Sequence, residues 1–277
     1  MKQNNHRSKR AHCPWLCLLI IVSVPGTFAQ TSGQRHSDTE YLEGAVLWQQ
    51  TSGERRALSY QAFTLARMML DRDLKMNRRN RMRRAIIVDL DETIIDNVRN
   101  EARQVKEGTP FTPESFTAWV NRAECTAIPG SLEFLRYANS RGVRVFYITN
   151  RKQIEREGTA RNLRNLGFPN VDEETLMVRP QDGNLSKEPR RQSVSARYHV
   201  VLLMGDDLND FAAVFENSKR VDTRLESVDR NKEEFGTRFI VLPNPMYGDW
   251  ESAIYEYNFK LTEAEKAEKR SSTLKPF

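Results

Sequence analysis

The sequence predicts an α/β domain built on a mostly parallel sheet with helices on both faces. Three observations carry that expectation. Short apolar runs rich in β-branched residues recur along the chain, AIIV at 85–88 being the clearest. Segments with apolar residues at helical spacing separate them. The first and fourth runs lead directly into acid clusters, in the crevice where open α/β sheets bind ligands.

Taken in order, residues 1–12 are basic, Cys13 to Val24 is an uncharged apolar run, and Thr27-Phe28-Ala29 places small residues before Gln30. Residues 1–29 therefore read as a secretory signal, too short in its apolar part to cross a bilayer. The expected location is periplasmic or secreted. Lipid anchoring at Cys17 is not expected, because Pro14, Trp15 and Leu16 are poor neighbours for it.

Residues 30–40 are polar and read as a tether. Helical spacing from Tyr41 to about Asp73 predicts two helices, broken near Thr51-Ser52-Gly53. An Arg-rich run from Lys75 to Arg84 follows, read as a solvated helix end. Strands are expected at 85–88, 143–148, 175–178, 199–204 and 239–242. Helices are expected at 129–140, 154–166 and 188–196, and in the Lys/Glu-rich tail. Alternation of this kind gives a Rossmann-like sheet. The expected domains are N-terminal helices at 41–84, a core at 85–260 interrupted by an insertion at 97–128, and a charged tail at 261–277. The insertion and the N-terminal helices would form a helical cap over the strand ends.

Length and composition agree: 277 residues with 39% hydrophobic and 29% charged suffice for one large domain and exclude a wholly disordered chain. The net charge of +6 is concentrated in the leader, whose removal leaves 39 bases against 37 acids. Electrostatics thus give little reason to expect a nucleic-acid partner. Cys125 is the one cysteine beyond the leader, so no intramolecular disulfide or thiolate metal site is expected there.

Chemistry concentrates at four places. Asp89-Leu90-Asp91-Glu92-Thr93 follows the first strand, Thr149-Asn150 ends the second, Lys187 opens a helix, and Gly205-Asp206-Asp207-Leu208-Asn209-Asp210 follows the fourth strand. Neighbouring carboxylates are costly unless a cation or proton offsets them. Hard oxygen ligands of this kind suit Mg²⁺, which keeps water and phosphate oxygens in its shell.

In these strings the chain resembles the haloacid dehalogenase superfamily, and within it the class C acid phosphatases, a family that includes outer-membrane lipoprotein 5′-nucleotidases. The likeness rests on IIVDLDETIIDN at 86–97, TAIPGSLEFLRYANSRGVRVFYITNR at 126–151, LLMGDDLNDF at 202–211 and LPNPMYGDW at 242–250. It implies that Asp89 is a nucleophile forming an aspartyl phosphate, and that Asp91 is the general acid and then the base. It implies Mg²⁺ on Asp89, the Asp91 carbonyl and Asp206, and a phosphoryl group held by Thr149 and Lys187. Asp210 would orient Lys187 or bind metal through water, and Asn150 would contact substrate. Asp207 either supports the site or is solvated, Glu92 is expected to face solvent, and Asn97 and Arg151 to organise loops or hold backbone.

Trp119, Phe116, Tyr247 and Trp250 are aromatic candidates for stacking on the leaving group, Trp119 and Tyr247 foremost. Small phosphate monoesters are the expected substrates: nucleoside 5′-monophosphates, nicotinamide mononucleotide and aryl phosphates. Sugar phosphates are the alternative, and a non-enzymatic surface binding protein or a nucleic-acid end phosphatase the more distant ones. The resemblance also implies a homodimer.

Overall fold

The computed structural model describes residues 39–77 and 79–277; the leader and most of the tether lie outside the described residues. Two helices come first, α1 (Glu43–Thr51) and α2 (Gly53–Met76). They break where expected, because Ser52 is extended and its hydroxyl accepts the Arg55 N–H at 3.0 Å, capping α2. Strand β1 (Arg84–Val88) follows.

A short antiparallel pair, β2 (Ile95–Asp96) and β3 (Thr126–Ala127), closes the neck of the next segment by pairing Ile95 with Ala127. Between them lie α3 (Val98–Glu107) and α4 (Pro113–Arg122), the latter opened by Pro113 and a Thr112/Ser115 capping box. The chain continues through α5 (Ser131–Ser140), β4 (Arg144–Ile148), α6 (Arg156–Leu166), β5 (Leu176–Met177), α7 (Glu188–Ser195) and β6 (His199–Gly205). It then forms α8 (Ala213–Glu216), α9 (Val221–Arg230), β7 (Phe239–Val241), α10 (Asp249–Ile254) and α11 (Glu263–Thr273).

Five strands form one parallel sheet in the order β5-β4-β1-β6-β7. The chain steps outward from β1 to β4 and β5, then crosses back to β6 and β7. The switch of direction falls between β1 and β6, and a crevice opens there outside the strand ends.

Alternation along the strands builds two apolar layers. Ile86, Val88, Val145, Tyr147, Leu202 and Met204 face the layer containing Ala62, Phe63 and Leu70 of α2 and Phe134 and Leu135 of α5. Ala85, Ile87, Phe146, Ile148 and Leu203 face the other, with Val194, Phe211, Phe215 and Phe239. Strands buried on both sides explain why the sequence shows continuous apolar runs.

Two boundaries, and several whole elements, differ from expectation. Helix α5 starts at Ser131, not Pro129, because Gly130 at φ +89° turns the chain first. A Cβ there would also crowd Phe63, 3.1 Å away. The strand expected at 175–178 shortens to two residues. Helices α8, α9 and α10 were not anticipated; in α9, Val221, Leu225 and Val228 stand at helical spacing, but Val221 and Leu225 are exposed while Arg224 and Ser227 are buried.

Candidate active site

Strand β1 delivers Asp89, whose N–H continues the ladder by donating to the Met204 carbonyl at 2.9 Å. The chain then folds tightly, with the Leu90 carbonyl accepting from Ile94 and Ile95 at 3.0 Å each. Glu92 sits at φ +54° in this turn. Strand β4 delivers Thr149, and β6 delivers Asp206. Gly205 is required beside them, since a Cβ there would lie 2.3 Å from Asp210 Oδ2. Asp210 can therefore fold back over the strand end.

Lys187, immediately before α7, joins these loops. Its Nζ donates to Asp210 Oδ1 at 2.6 Å and to Asp89 Oδ1. All three side chains are at least nine-tenths buried. Burial would lower the Lys187 pKa, but the Asp210 and Asp89 carboxylates hold it above its ordinary value. Burial pushes Asp89 up to about 7, against the pull of Lys187 and with Asp210 and Asp91 adding to it.

The half-buried Asp206 accepts from the Thr93 hydroxyl at 3.0 Å and the Asn244 amide at 2.8 Å. Withdrawal from water and the charges of Asp210 and Asp89 raise it well above the carboxylate range. Ligand oxygens of Asp89, Asp206 and Asp210 all lie within 4.8 Å of one another. Three carboxylates thus share one ammonium, and no cationic side chain among the described residues pairs with Asp206. Such a donor set fits a hard divalent cation such as Mg²⁺. Asp89, Asp206 and Asp210 could each offer it an oxygen; of the three, Asp206 is the one without an ammonium partner, whereas Asp89 and Asp210 share Lys187.

Asp91 reaches the same cleft but faces Arg151 and Asn97. Its carboxylate is not among the oxygens that cluster within 4.8 Å of one another at Asp89, Asp206 and Asp210. Thr149 is buried, and its hydroxyl accepts the Arg151 N–H at 3.1 Å. Asn150 lines the cleft, bonded to the Leu185 carbonyl at 2.9 Å and to Arg190 at 2.7 Å.

Tyr247 lines the cleft as well, its hydroxyl donating to Glu92. Glu92 is therefore not at the solvent face. It is fully buried, accepts from the Asn97 N–H at 2.8 Å, and is raised by burial and by Asp91, Asp96 and Asp206. Asp207 is tied to the neighbouring loop by the Asp249 N–H at 2.7 Å.

Trp119 is not brought to the cleft. Its indole fills the core, with Nε1 donating to Asn97 Oδ1 at 2.9 Å. Phe116, one turn earlier on α4, lines the cleft instead, its ring centroid 5.8 Å from that of Phe111. Trp250 is exposed and bonds the Tyr247 carbonyl at 3.2 Å.

The cleft encloses about 780 Å³. Strand-end residues form one wall; Leu42, Glu101, Gln104, Phe111 and Phe116 form another. Sequence reasoning missed Arg190, which clamps the Thr149 carbonyl at 2.6 Å, and Arg191, which holds the Asn209 carbonyl at 2.6 Å. Both follow Lys187 on α7, a clustering that could have marked them.

The Arg-rich run ends where β1 begins, at the opposite end of the strand from Asp89. Five residues of strand, about 16 Å, keep it from the cleft. Among the described residues no helix is long and apolar enough to cross a membrane.

Comparisons with known proteins agree with this geometry. Residues 28–250 match the family described as HAD superfamily, subfamily IIIB (acid phosphatase). The structure is similar to the class C acid phosphatase from Bacillus anthracis with tungstate bound, at TM-score 0.82 and 41% identity, covering 86% of this chain and 98% of that one. Acid phosphatase 1 of Solanum lycopersicum is 26% identical over 167 residues, which span 58% of this chain and 57% of the tomato protein. Stem 28 kDa glycoprotein of Glycine max is 20% identical over 214 residues, 75% of this chain and 72% of that protein. The chain belongs to the HAD superfamily, subfamily IIIB, the acid phosphatases.

Proposed function

We propose that this chain is an exported, Mg²⁺-dependent phosphomonoesterase that works through a phosphoryl group on Asp89. The observation that carries the reading is Lys187, held between Asp89 and Asp210 beside Asp206, where β1 and β6 open into the cleft. Bound at Asp89 and Asp206, Mg²⁺ would supply charge compensation for the incoming ester dianion.

The chain's own residues account for the rest. Lys187 aims the Asp89 carboxylate and presents positive charge to the transferring group. Thr149 offers a hydroxyl and nearby N–H groups to a phosphoryl oxygen. Asp91 gives a proton to the leaving oxygen, then takes one from the water that cleaves the aspartyl phosphate. The tungstate named with the Bacillus anthracis enzyme is a tetrahedral oxyanion like phosphate, which supports an oxyanion subsite here.

Phe111, Phe116 and Tyr247 on the cleft wall favour ring-bearing leaving groups, hence nucleoside 5′-monophosphates and aryl phosphates over sugar phosphates. The insertion serves as the cap together with α1, whose Val46 packs with Val98 and Val105 of α3; α2, expected to contribute to the cap, lies instead on a face of the sheet. Export to the periplasm or medium follows from the leader, and a homodimer from the family likeness; analytical ultracentrifugation tests the dimer.

The test is phosphate release by the full chain from a nucleotide panel, p-nitrophenyl phosphate and glucose 6-phosphate, with Mg²⁺ or chelator and an Asp89→Asn control. Metal-dependent turnover of ring-bearing esters, lost in the control, supports the reading. A folded, metal-loaded protein silent on every ester overturns it.

A further inference from the structure

Asp91 is held asymmetrically. Its Oδ1 accepts from Arg151 Nη2 at 2.6 Å, Arg151 Nε at 3.1 Å and Asn97 Nδ2 at 2.7 Å. Its Oδ2 accepts, among the described residues, from Arg151 Nε alone, at 3.1 Å. One oxygen is saturated, and the other keeps a lone pair on a half-buried carboxylate that lines the cleft.

The groups that saturate Oδ1 are themselves fixed. Arg151 is 2% exposed, and its far nitrogen Nη1 donates to Thr159 Oγ1 at 3.0 Å. Asn97 is fully buried, and its Oδ1 accepts from Trp119 Nε1 at 2.9 Å and Cys125 Sγ at 3.2 Å. An indole nitrogen can only donate, so the amide orientation is determined and Nδ2 must face Asp91. Neither residue needs to touch substrate for this arrangement to matter.

We infer that Arg151 and Asn97 are positioning residues that lock Asp91 Oδ1, so that Oδ2 is the atom that moves the proton. The inference rests on the phosphomonoesterase reading above. As the Asp89 oxygen bonds to phosphorus and the ester P–O bond breaks, the Oδ2 proton passes to the leaving oxygen, which departs as a neutral alcohol. Water then attacks the aspartyl phosphate and gives its proton to Oδ2, and the P–O bond to Asp89 breaks. Loosening the lock misdirects this proton, a defect felt most where the leaving oxygen cannot depart without one.

Two ring-bearing esters separate that effect from binding. Benzyl phosphate releases an alkoxide-type oxygen that needs the proton; p-nitrophenyl phosphate releases a stable phenolate that does not. Arg151→Gln, made in the full chain, should lower kcat/KM for benzyl phosphate roughly 10- to 100-fold and for p-nitrophenyl phosphate less than about threefold. Thr159→Val, which frees the far end of Arg151 at nearly constant volume, should shift the same ratio in the same direction by a smaller factor. It carries the test should the Gln variant not fold. In an Asp91→Asn background, Arg151→Gln should cause no further loss on benzyl phosphate.

Equal losses on both esters would overturn the inference, because they place Arg151 on the phosphoryl group or in the general fold. An unchanged ratio in Thr159→Val and Arg151→Gln together would overturn it as well. Wild-type protein silent on both esters overturns the phosphomonoesterase reading itself, and this inference with it.

Discussion

Replacing Lys187 with Met removes the ammonium from a site that holds Asp89, Asp206 and Asp210 within 4.8 Å. The side chain volume is nearly kept, so the effect is electrostatic. Lys187 contacts two buried carboxylates, and breaking a buried pair by removing one partner costs about 3–5 kcal/mol. The two contacts do not double that figure, because Asp89 is already pushed up to about 7 and can take a proton once the ammonium is gone. For a domain of this size the loss corresponds to a fall in Tm of roughly 6–20 °C.

The sign in pH follows from the direction of the shift. Lys187 is raised in the folded state, so its contribution is complete below an unfolded value of about 10.4 and is lost only as pH rises through the higher folded value. Thermal melts in chelator near neutral pH therefore read the full effect. Adding Mg²⁺ should restore part of the lost Tm, since a cation again faces the acids. A fall of less than about 2 °C, on the same scale, would refute the claim that this lysine balances the acid cluster.

Other expectations follow from single contacts. Gly205→Ala forces a Cβ to within 2.3 Å of Asp210, so it should cost about 1–3 kcal/mol by denaturant melt and lower kcat through the displaced lysine. Trp119→Phe removes the donor to Asn97 but no cleft wall; stability should fall by about 1 kcal/mol while KM for a nucleotide stays within about twofold. A large rise in KM would return Trp119 to the substrate pocket. Burial would raise Asp73, but hydrogen bonds from Arg84, then His199 and Asn77, hold it below its ordinary range. Its contribution is present above an unfolded value of about 3.9 and is lost as pH falls through the lower folded value, so Asp73→Asn should flatten the acid limb of a stability–pH curve.

The strands were legible because burial on both faces leaves an uninterrupted apolar signature, as in Ala85 to Val88. Residues at strand ends were legible for a related reason: acids directly after such a run have few structural uses. Helix α9 was missed although Val221, Leu225 and Val228 stand at helical spacing; its stripe is short and largely exposed, and the residues it buries are Arg224 and Ser227.

Aromatic identity alone could not separate Phe116 from Trp119. They lie three residues apart on one helix, yet one lines the cleft and the other fills the core. Glu92 was misread because a sequence does not reveal a residue at φ +54°, and that turn folds the carboxylate inward to Asn97 and Tyr247. Arg190 and Arg191 were missed because arginine belongs at the surface by default. They are buried here because carbonyls from separate loops converge on their guanidinium groups, an arrangement that exists only after the sheet has formed.

The central claim is that Asp89 carries the phosphoryl group between the two half-reactions. Acid quenching during steady-state turnover of p-nitrophenyl phosphate, followed by peptide mass analysis, tests it most directly. The account predicts one phosphoryl group on the peptide containing Asp89, absent in Asp89→Asn and absent when metal is withheld. Turnover at full rate with that peptide unmodified in wild type, or undiminished in Asp89→Asn, would contradict it.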